Sequence, residues 1–403
     1  MPPPPNGTTT GRIVEIFFAF LRLGMTSFGG PVAHLGYFRQ AFVVQRRWLD
    51  EATYADLVAL CQFLPGPASS QVGMGLGLAR GGYGGMLAAW LGFTLPSALL
   101  MLLFAQGVQM HGLTQGHWLH GFKVVAVAVV AQAVWGMATS LCPDRQRRTF
   151  ALLAALVTLA WPTALGQVLA ILAAAIGGWL WLQPPATHDG PPLSIPMGRG
   201  AGVVFLSLFF LLLLGLPLLA ADFSLPELTV FDSFYRSGAL VFGGGHVILP
   251  LLQAEVVNSQ WLDKSLFLAG YGMAQAIPGP LSTFAAYLGA LLSLGPGGWL
   301  GGALALLAIF LPSMLLILGT LPFWALLRQW QAVRAALQGV NAAVVGVLLA
   351  ALYDPVWTSG ILSSRDFGLG LTAFGLLHWW RLPPWLVVLL SGGAAVLLLP
   401  NTP

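Results

Sequence analysis

The residues of this chain best suited to handling an anion come in matched pairs. Arg22 and Arg236 each sit inside an apolar run, and a guanidinium offers a planar fork that pairs two oxygens at once. Gln62-Phe63-Leu64-Pro65-Gly66-Pro67 runs into Ala68-Ser69-Ser70, and Gln275-Ala276-Ile277-Pro278-Gly279-Pro280 runs into Leu281-Ser282-Thr283. Proline lacks a backbone donor and biases the preceding residue away from helix. Each Pro-Gly-Pro is therefore expected to end one helix and open another. The first turn of a new helix carries free N–H groups and a positive dipole end, which suit an anion. Ser69, Ser70, Ser282 and Thr283 would add hydroxyl donors. The competing reading is a helical hairpin whose cap binds nothing.

Gly29-Gly30-Pro31 and Gly243-Gly244-Gly245-His246 follow the helices that hold the two arginines. They read either as C-cap turns or as backbone lining a substrate path. His246, among glycines, reads as structural, with a proton relay as the alternative. Asp56, within Asp50–Leu64, is the first acidic residue to test for coupling. Lys123, near a helix start, would snorkel towards the interface or take part in coupling. The arginines themselves could instead pair along their own helix faces, Arg22 with Glu15 and Arg236 with Asp232.

The elements that position these groups repeat in order. Phe28-Gly29-Gly30 matches Phe242-Gly243-Gly244, Trp48-Leu49-Asp50 matches Trp261-Leu262-Asp263, and Gly84-Gly85 matches Gly297-Gly298. Leu95-Pro96-Ser97 matches Leu311-Pro312-Ser313, and Gly121-Phe122-Lys123 falls opposite Gly339-Val340-Asn341. Hydrophobic residues make up 57% of the chain and charged residues 7%, whereas soluble domains are about a quarter charged. Runs such as Met86–Ala105, Val203–Ala221, Trp299–Leu318 and Trp385–Pro400 approach the ~20 apolar residues that a membrane helix needs. The expected fold is an all-α integral membrane protein built from two homologous helical repeats. Short helices broken at Pro-Gly-Pro would form re-entrant hairpins, since opened backbone at membrane depth must line a cavity or be buried.

The expected organisation is a polar N-terminal tail over 1–12, a first repeat over 13–183, a linker over 184–227 with a hydrophobic helix at 203–221, and a second repeat over 228–403. The tail has no basic n-region or cleavage site of a signal peptide. Matched loops carry opposite charge bias. Arg39, Arg46 and Arg47 face Glu255, Asp263 and Lys264; the uncharged stretch 106–118 faces Arg328 and Arg334; and Arg145, Arg147 and Arg148 face Asp354, Arg365 and Asp366. Under the positive-inside rule this places equivalent loops on opposite sides, an inverted repeat. Phe150–Leu182 is expected to form one long helix or two broken at Trp161-Pro162-Thr163.

Other function classes find little support. The sequence has no Gly-x-x-x-x-Gly-Lys-Ser/Thr loop for ATP, no clustered metal ligands and no nucleic-acid module. Cys61 and Cys142 lack metal or redox spacing. No cofactor, metal or catalytic set is expected, and the chain is not read as an enzyme. A membrane enzyme or scaffold with a Pro-broken cavity is the alternative from another class.

Phe28-Gly29-Gly30-Pro31, Phe242-Gly243-Gly244-Gly245-His246 and the two Pro-Gly-Pro motifs with their glutamines resemble the chromate ion transporter family in its long, two-domain form. That resemblance, from about Glu15 to the C-terminus, implies a secondary transporter in the bacterial inner membrane. It would export chromate on an ion or potential gradient and confer chromate resistance, with sulfate as the chemically similar competitor. Carried over by motif, the positions are Arg22, Gly29, Gly30, Gln62, Pro65, Gly66 and Pro67. Their second-half matches are Arg236, Gly243, Gly244, Gly245, Gln275, Pro278, Gly279 and Pro280. Pro31 against Gly245-His246 makes the halves chemically unequal. The expected mechanism holds the anion between the two helix starts while Arg22 and Arg236 supply positive potential. A sulfate permease is the second transport reading, and a second copy of the chain is a candidate partner beside the lipid bilayer.

Overall fold

The computed structural model describes residues 9–28, 30–110, 117–183, 193, 195–242, 247–327 and 329–398. Gly29, Gly243, Gly244, Gly245 and His246 lie outside the described residues. The described chain is helical, and five segments are long and apolar enough to cross a membrane: Ala68–Met110, His120–Leu141, Arg199–Phe223, Gly298–Leu327 and Gln331–Gly360. Their outward faces carry large apolar side chains, as at Leu211, Leu214 and Leu218, each 68% exposed. Water would not tolerate such a face; lipid would. This is an integral membrane protein.

Helix α1 (Thr9–Thr26) leads into α2 (Gly30–Phe38), which widens into a π-helix over Arg39–Gln45. Next come α3 (Glu51–Phe63), the first Pro-Gly-Pro, and α4 (Ala68–Met110). Gly81 and Gly82 leave helical geometry and kink α4 into two rods. Helices α5 (His117–Leu141), α6 (Arg145–Ala160) and α7 (Ala164–Trp181) follow. Phe150–Leu182 is thus two helices: the first ends at the C-cap Trp161, just before Pro162, and Thr163 caps the second by accepting from the Gly166 amide. Helix α8 (Arg199–Phe223) covers the 203–221 run and connects to a second series.

That series has the same order. Helix α9 (Pro226–Ala239) is followed by α10 (Ile248–Leu252) with its own π-turn over Gln253–Val257, then α11 (Lys264–Ala276) and the second Pro-Gly-Pro. A 3-10 turn at Leu281–Thr283 opens α12 (Phe284–Leu291), and α13 (Gly298–Thr320) follows. Next are the short α14 (Trp324–Leu327), α15 (Gln331–Ala351), the one-turn α16 (Thr358–Gly360), α17 (Ser364–His378) and α18 (Pro384–Leu398). The matched Trp-Leu-Asp motifs do matched work. Asp50 caps α3 by accepting from the Thr53 amide, and Asp263 caps α11 by accepting from the Ser265 and Leu266 amides. Such a cap is worth about 1 kcal/mol. Trp48 stacks on Phe42 at 4.5 Å, and Phe42 on Phe20 at 4.7 Å, which ties α3's entry to α1 and the first π-helix.

The last helices of each series pack on the other series. Helix α5 lies against α17 and α18, whereas α15 lies against α6 and α7. The α5 contact includes His120 Nε2 at 2.9 Å from Asp366 Oδ1 and a 3.1 Å bond from Gln132 Nε2 to the Leu377 carbonyl. The α15 contact needs glycine: a Cβ at Gly339 would run into the Ala174 carbonyl. Two hairpins are therefore crossed over between the series.

Candidate functional site

At each break the turn is held by the opposite half. Gly66 stands at φ +126° and Gly279 at φ +103°, backbone that side chains rarely adopt. The Gly66 amide donates to the Val241 carbonyl at 2.5 Å, and the Gly279 amide donates to the Ser27 carbonyl at 3.0 Å. Ser27 and Val241 are the matched residues just before Phe28 and Phe242. A Cβ on Gly66 would meet Ser313 Oγ, and a Cβ on Gly279 would meet Ser97 Oγ. The motifs that looked like separate landmarks in the sequence are thus each other's contacts.

The first break opens directly into helix. The Gln71 amide bonds back to the Pro67 carbonyl at 3.0 Å, which makes Pro67 the cap residue. Proline has no side-chain oxygen to offer, so the amides of Ala68, Ser69 and Ser70 begin α4 without an intrahelical acceptor. Gln71 Nε2 ties the turn by donating to the Pro65 carbonyl at 2.7 Å. Around this helix start the hydroxyls of Ser27, Ser70 and Ser313 and the Gln71 Oε1 are buried with no described partner. Buried polar groups are nearly always paired; the three open hydroxyls at a helix start can donate to an anion, whereas Gln71 Oε1 can only accept.

His34 links this start to the second break. Its ring is buried, with Nε2 3.2 Å from the Ser27 carbonyl and Nδ1 3.3 Å from Ser69 Oγ. A carbonyl only accepts, so Nε2 carries the proton, and Ser69 donates to Nδ1 when the ring is neutral. The Phe93 ring meets it edge-on at 5.2 Å. Because Ser27 also accepts from Gly279, one polar chain runs from Gly279 through Ser27 and His34 to Ser69.

The second break is not equivalent. Thr283 turns both its amide and its hydroxyl back onto the Pro280 carbonyl, at 3.0 and 2.8 Å. Ser282 is buried beside it. Pro65, Pro278 and Pro280 shape the turns, while Gln62 ends up exposed on the last turn of α3. Gln275 and Gly30 instead line a cavity of about 280 Å³ together with Gln132, Trp135 and His378.

The two arginines differ. Arg22 is exposed and makes no ion pair among the described residues. The expected Glu15 pairing is replaced, since Glu15 lies 3.8 Å from Arg46 and 3.6 Å from Arg80. Arg236 does pair with Asp232, at 3.0 Å, and its two terminal nitrogens grip Glu255 at 2.8 and 3.1 Å. Its fork is filled by carboxylates and is not open to an anion in this state. Lys123 does not snorkel freely: its Nζ donates to Ser265 Oγ of α11 at 2.8 Å. Asp56 is buried in α3. Sequence reasoning missed His34, Ser27, Gln71 and Ser313. A lone histidine in the apolar stretch after Phe28-Gly29-Gly30 was the available signal for the first of these.

The description "Chromate transporter" belongs to the family model that matches residues 14–179 and 228–397. A chromate transport protein of Pseudomonas aeruginosa is 28% identical over 397 residues, covering 96% of this chain and 92% of that protein. One from Cupriavidus metallidurans is 28% identical over 369 residues, covering 87% and 86%. YwrB, an uncharacterized transporter of Bacillus subtilis, is 34% identical over 148 residues, which is 34% of this chain and 73% of its own length. No solved structure matches. The family match covers both series of helices and the break within each, and the chain belongs to the chromate transporter family.

Proposed function

We propose that this chain is a secondary transporter that exports chromate from the bacterial cytoplasm across the inner membrane and thereby confers chromate resistance. The anion is held at the start of α4, where the Ala68, Ser69 and Ser70 amides and the hydroxyls of Ser70, Ser27 and Ser313 converge. The observation that carries this reading is the polar chain from Gly279 through Ser27 and His34 to Ser69. It joins both breaks to a helix start whose own cap residue cannot satisfy it. A tetrahedral dianion would be bound by dipoles and neutral donors, without a compensating charge in the pocket. Arg22, exposed and unpaired, adds attraction at long range.

The units 13–183 and 228–403, related by inversion about the midplane, would rock against each other, with the 184–227 linker allowing opposite orientations. The two Pro-Gly-Pro turns then act as re-entrant tips at the shared centre. An ion or potential gradient would drive export, since the sequence carries no ATP-binding loop.

The test is uptake of labelled chromate into everted vesicles. Accumulation that sulfate suppresses only in excess supports the chromate reading. Sulfate transported in preference would make the chain a sulfate permease, and the absence of any anion flux would favour a scaffold.

A further inference from the structure

The Asp232–Arg236–Glu255 triad carries more negative charge than its arginine can balance. One guanidinium faces two carboxylates, at 3.0 Å from Asp232 and at 2.8 and 3.1 Å from the two oxygens of Glu255. The triad also lies deep. Gly238, two residues beyond Arg236, packs on the carbonyl of Ile309, the central residue of α13. Eleven residues of helix on either side put this level about 16 Å from each end of α13. A surplus charge at the middle of a membrane is costly and marks function by default.

The repeat supplies its own control. Arg22, the match of Arg236, has Phe18 where Arg236 has Asp232, and Ala41 or Phe42 where Arg236 has Glu255. The helical frame therefore forms without either carboxylate. A single carboxylate would have sufficed to neutralise the half-buried Arg236; the second leaves a formal charge of −1.

Two oxygens at the triad are open. Asp232 Oδ1 and Ser237 Oγ are buried without partners, in residues 5% and 2% exposed. A cavity of about 310 Å³ between α7 and α8 is lined by Ser237, Arg236 and Glu255 with Leu165, Val168 and Leu213, and so reaches Ser237 and the arginine that holds Asp232. The remaining carboxylate oxygens are held by Arg236. Hard metal cations take about six oxygen ligands, so two open oxygens are too few for one. A proton needs only one.

We infer that Asp232 is a proton-binding site linked to transport. This rests on the transport reading above. With a proton on Oδ1, the triad is neutral and can pass through the buried stage of the cycle; once the proton leaves, the charge of −1 holds it back. The other ionisable groups on the packed helices are Glu227 and Tyr235 on α9, with the Tyr235 hydroxyl bonded to the Phe209 carbonyl, and Arg199 and Asp222 at opposite ends of α8. Helices α7, α10 and α13 present none.

The experiment uses the full chain in proteoliposomes with the potential clamped and a pH-sensitive dye inside. Wild type should accumulate chromate on a pH gradient and move protons with it. Asp232→Asn should lose gradient-driven accumulation at least tenfold while keeping chromate counterflow within about twofold, and Asp232→Glu should recover it. Glu255→Gln, which removes the surplus charge but leaves Arg236 paired, should show the same loss. Wild-type accumulation on a pH gradient in either Asp232→Asn or Glu255→Gln would overturn the assignment. So would accumulation driven by a sodium gradient with no proton movement. Absence of counterflow in the wild type would sink the transport reading itself, and this assignment with it.

Discussion

His34 Nδ1 stands 3.3 Å from Ser69 Oγ, joining the short helix after the first arginine helix to the first turn of α4. The contact orients a hydroxyl at a helix start that has no side-chain cap of its own. Removing the imidazole would leave the Ser27 carbonyl one partner short. Lost partners of this kind cost about 1–3 kcal/mol. His34→Ala is therefore expected to lower chromate uptake by about tenfold or more at subsaturating substrate, with the change chiefly in the half-saturating concentration. An unchanged uptake curve would remove His34 from the site.

The Gly66 turn makes a second prediction. Gly66→Ala meets both an unfavourable φ and Ser313 Oγ. It should lower the thermal midpoint in detergent by more than Gly36→Ala, where a Cβ meets open space. Adding Ser313→Gly removes the collision with Ser313 but neither the contact with Gln71 Nε2 nor the φ penalty, so the double variant should recover only part of the loss. Simple additivity of the two substitutions would show that the contact across the halves is not felt.

The arginines should separate cleanly in stability. Arg236→Gln strands the buried Asp232 and the half-buried Glu255; stranding one charge of a buried pair costs up to about 3–5 kcal/mol, and the purified protein should melt markedly lower. Arg22→Gln touches an exposed, unpaired residue and should stay within about 0.5 kcal/mol of wild type. Equal melting shifts for the two variants would contradict the ion-pair geometry.

Asp144 offers a pH test outside the spanning helices. The backbone amide of Arg147, then the Arg147 guanidinium, hold its carboxyl below the usual carboxylate range against the opposing effect of burial. A lowered folded-state value means that the stabilisation is full above the unfolded value and fades as pH falls through the folded one. Asp144→Ala should cost about 1 kcal/mol near neutral pH. The gap between variant and wild type should close in acid, and a gap that does not vary with pH would refute it.

Much of the frame was readable from residues alone. Trp48-Leu49-Asp50 and Trp261-Leu262-Asp263 carry their caps locally, and each Pro-Gly-Pro stops a helix by covalent geometry. The pairing of Arg236 with Asp232 was readable too, because four residues is one helical turn. Glu255 was not, since it arrives from another helix. His34, Ser27 and Ser313 were invisible for the same reason: nothing within a few positions of Ser69 says which distant side chains will surround it. The inequality of the two breaks was equally hidden, because Ser70 and Thr283 differ by a methyl group in sequence but by a hydrogen bond to Pro280 in space.

The crossing of the last hairpins between the two series has a consequence for how the chain is made. Helix α5 must wait for α17 and α18, which begin more than two hundred residues later. At ordinary translation rates that interval is on the order of 10–45 s. Through it, the small-residue face around Gly121 has only lipid for company, and the newborn first half is a surface awaiting a mate.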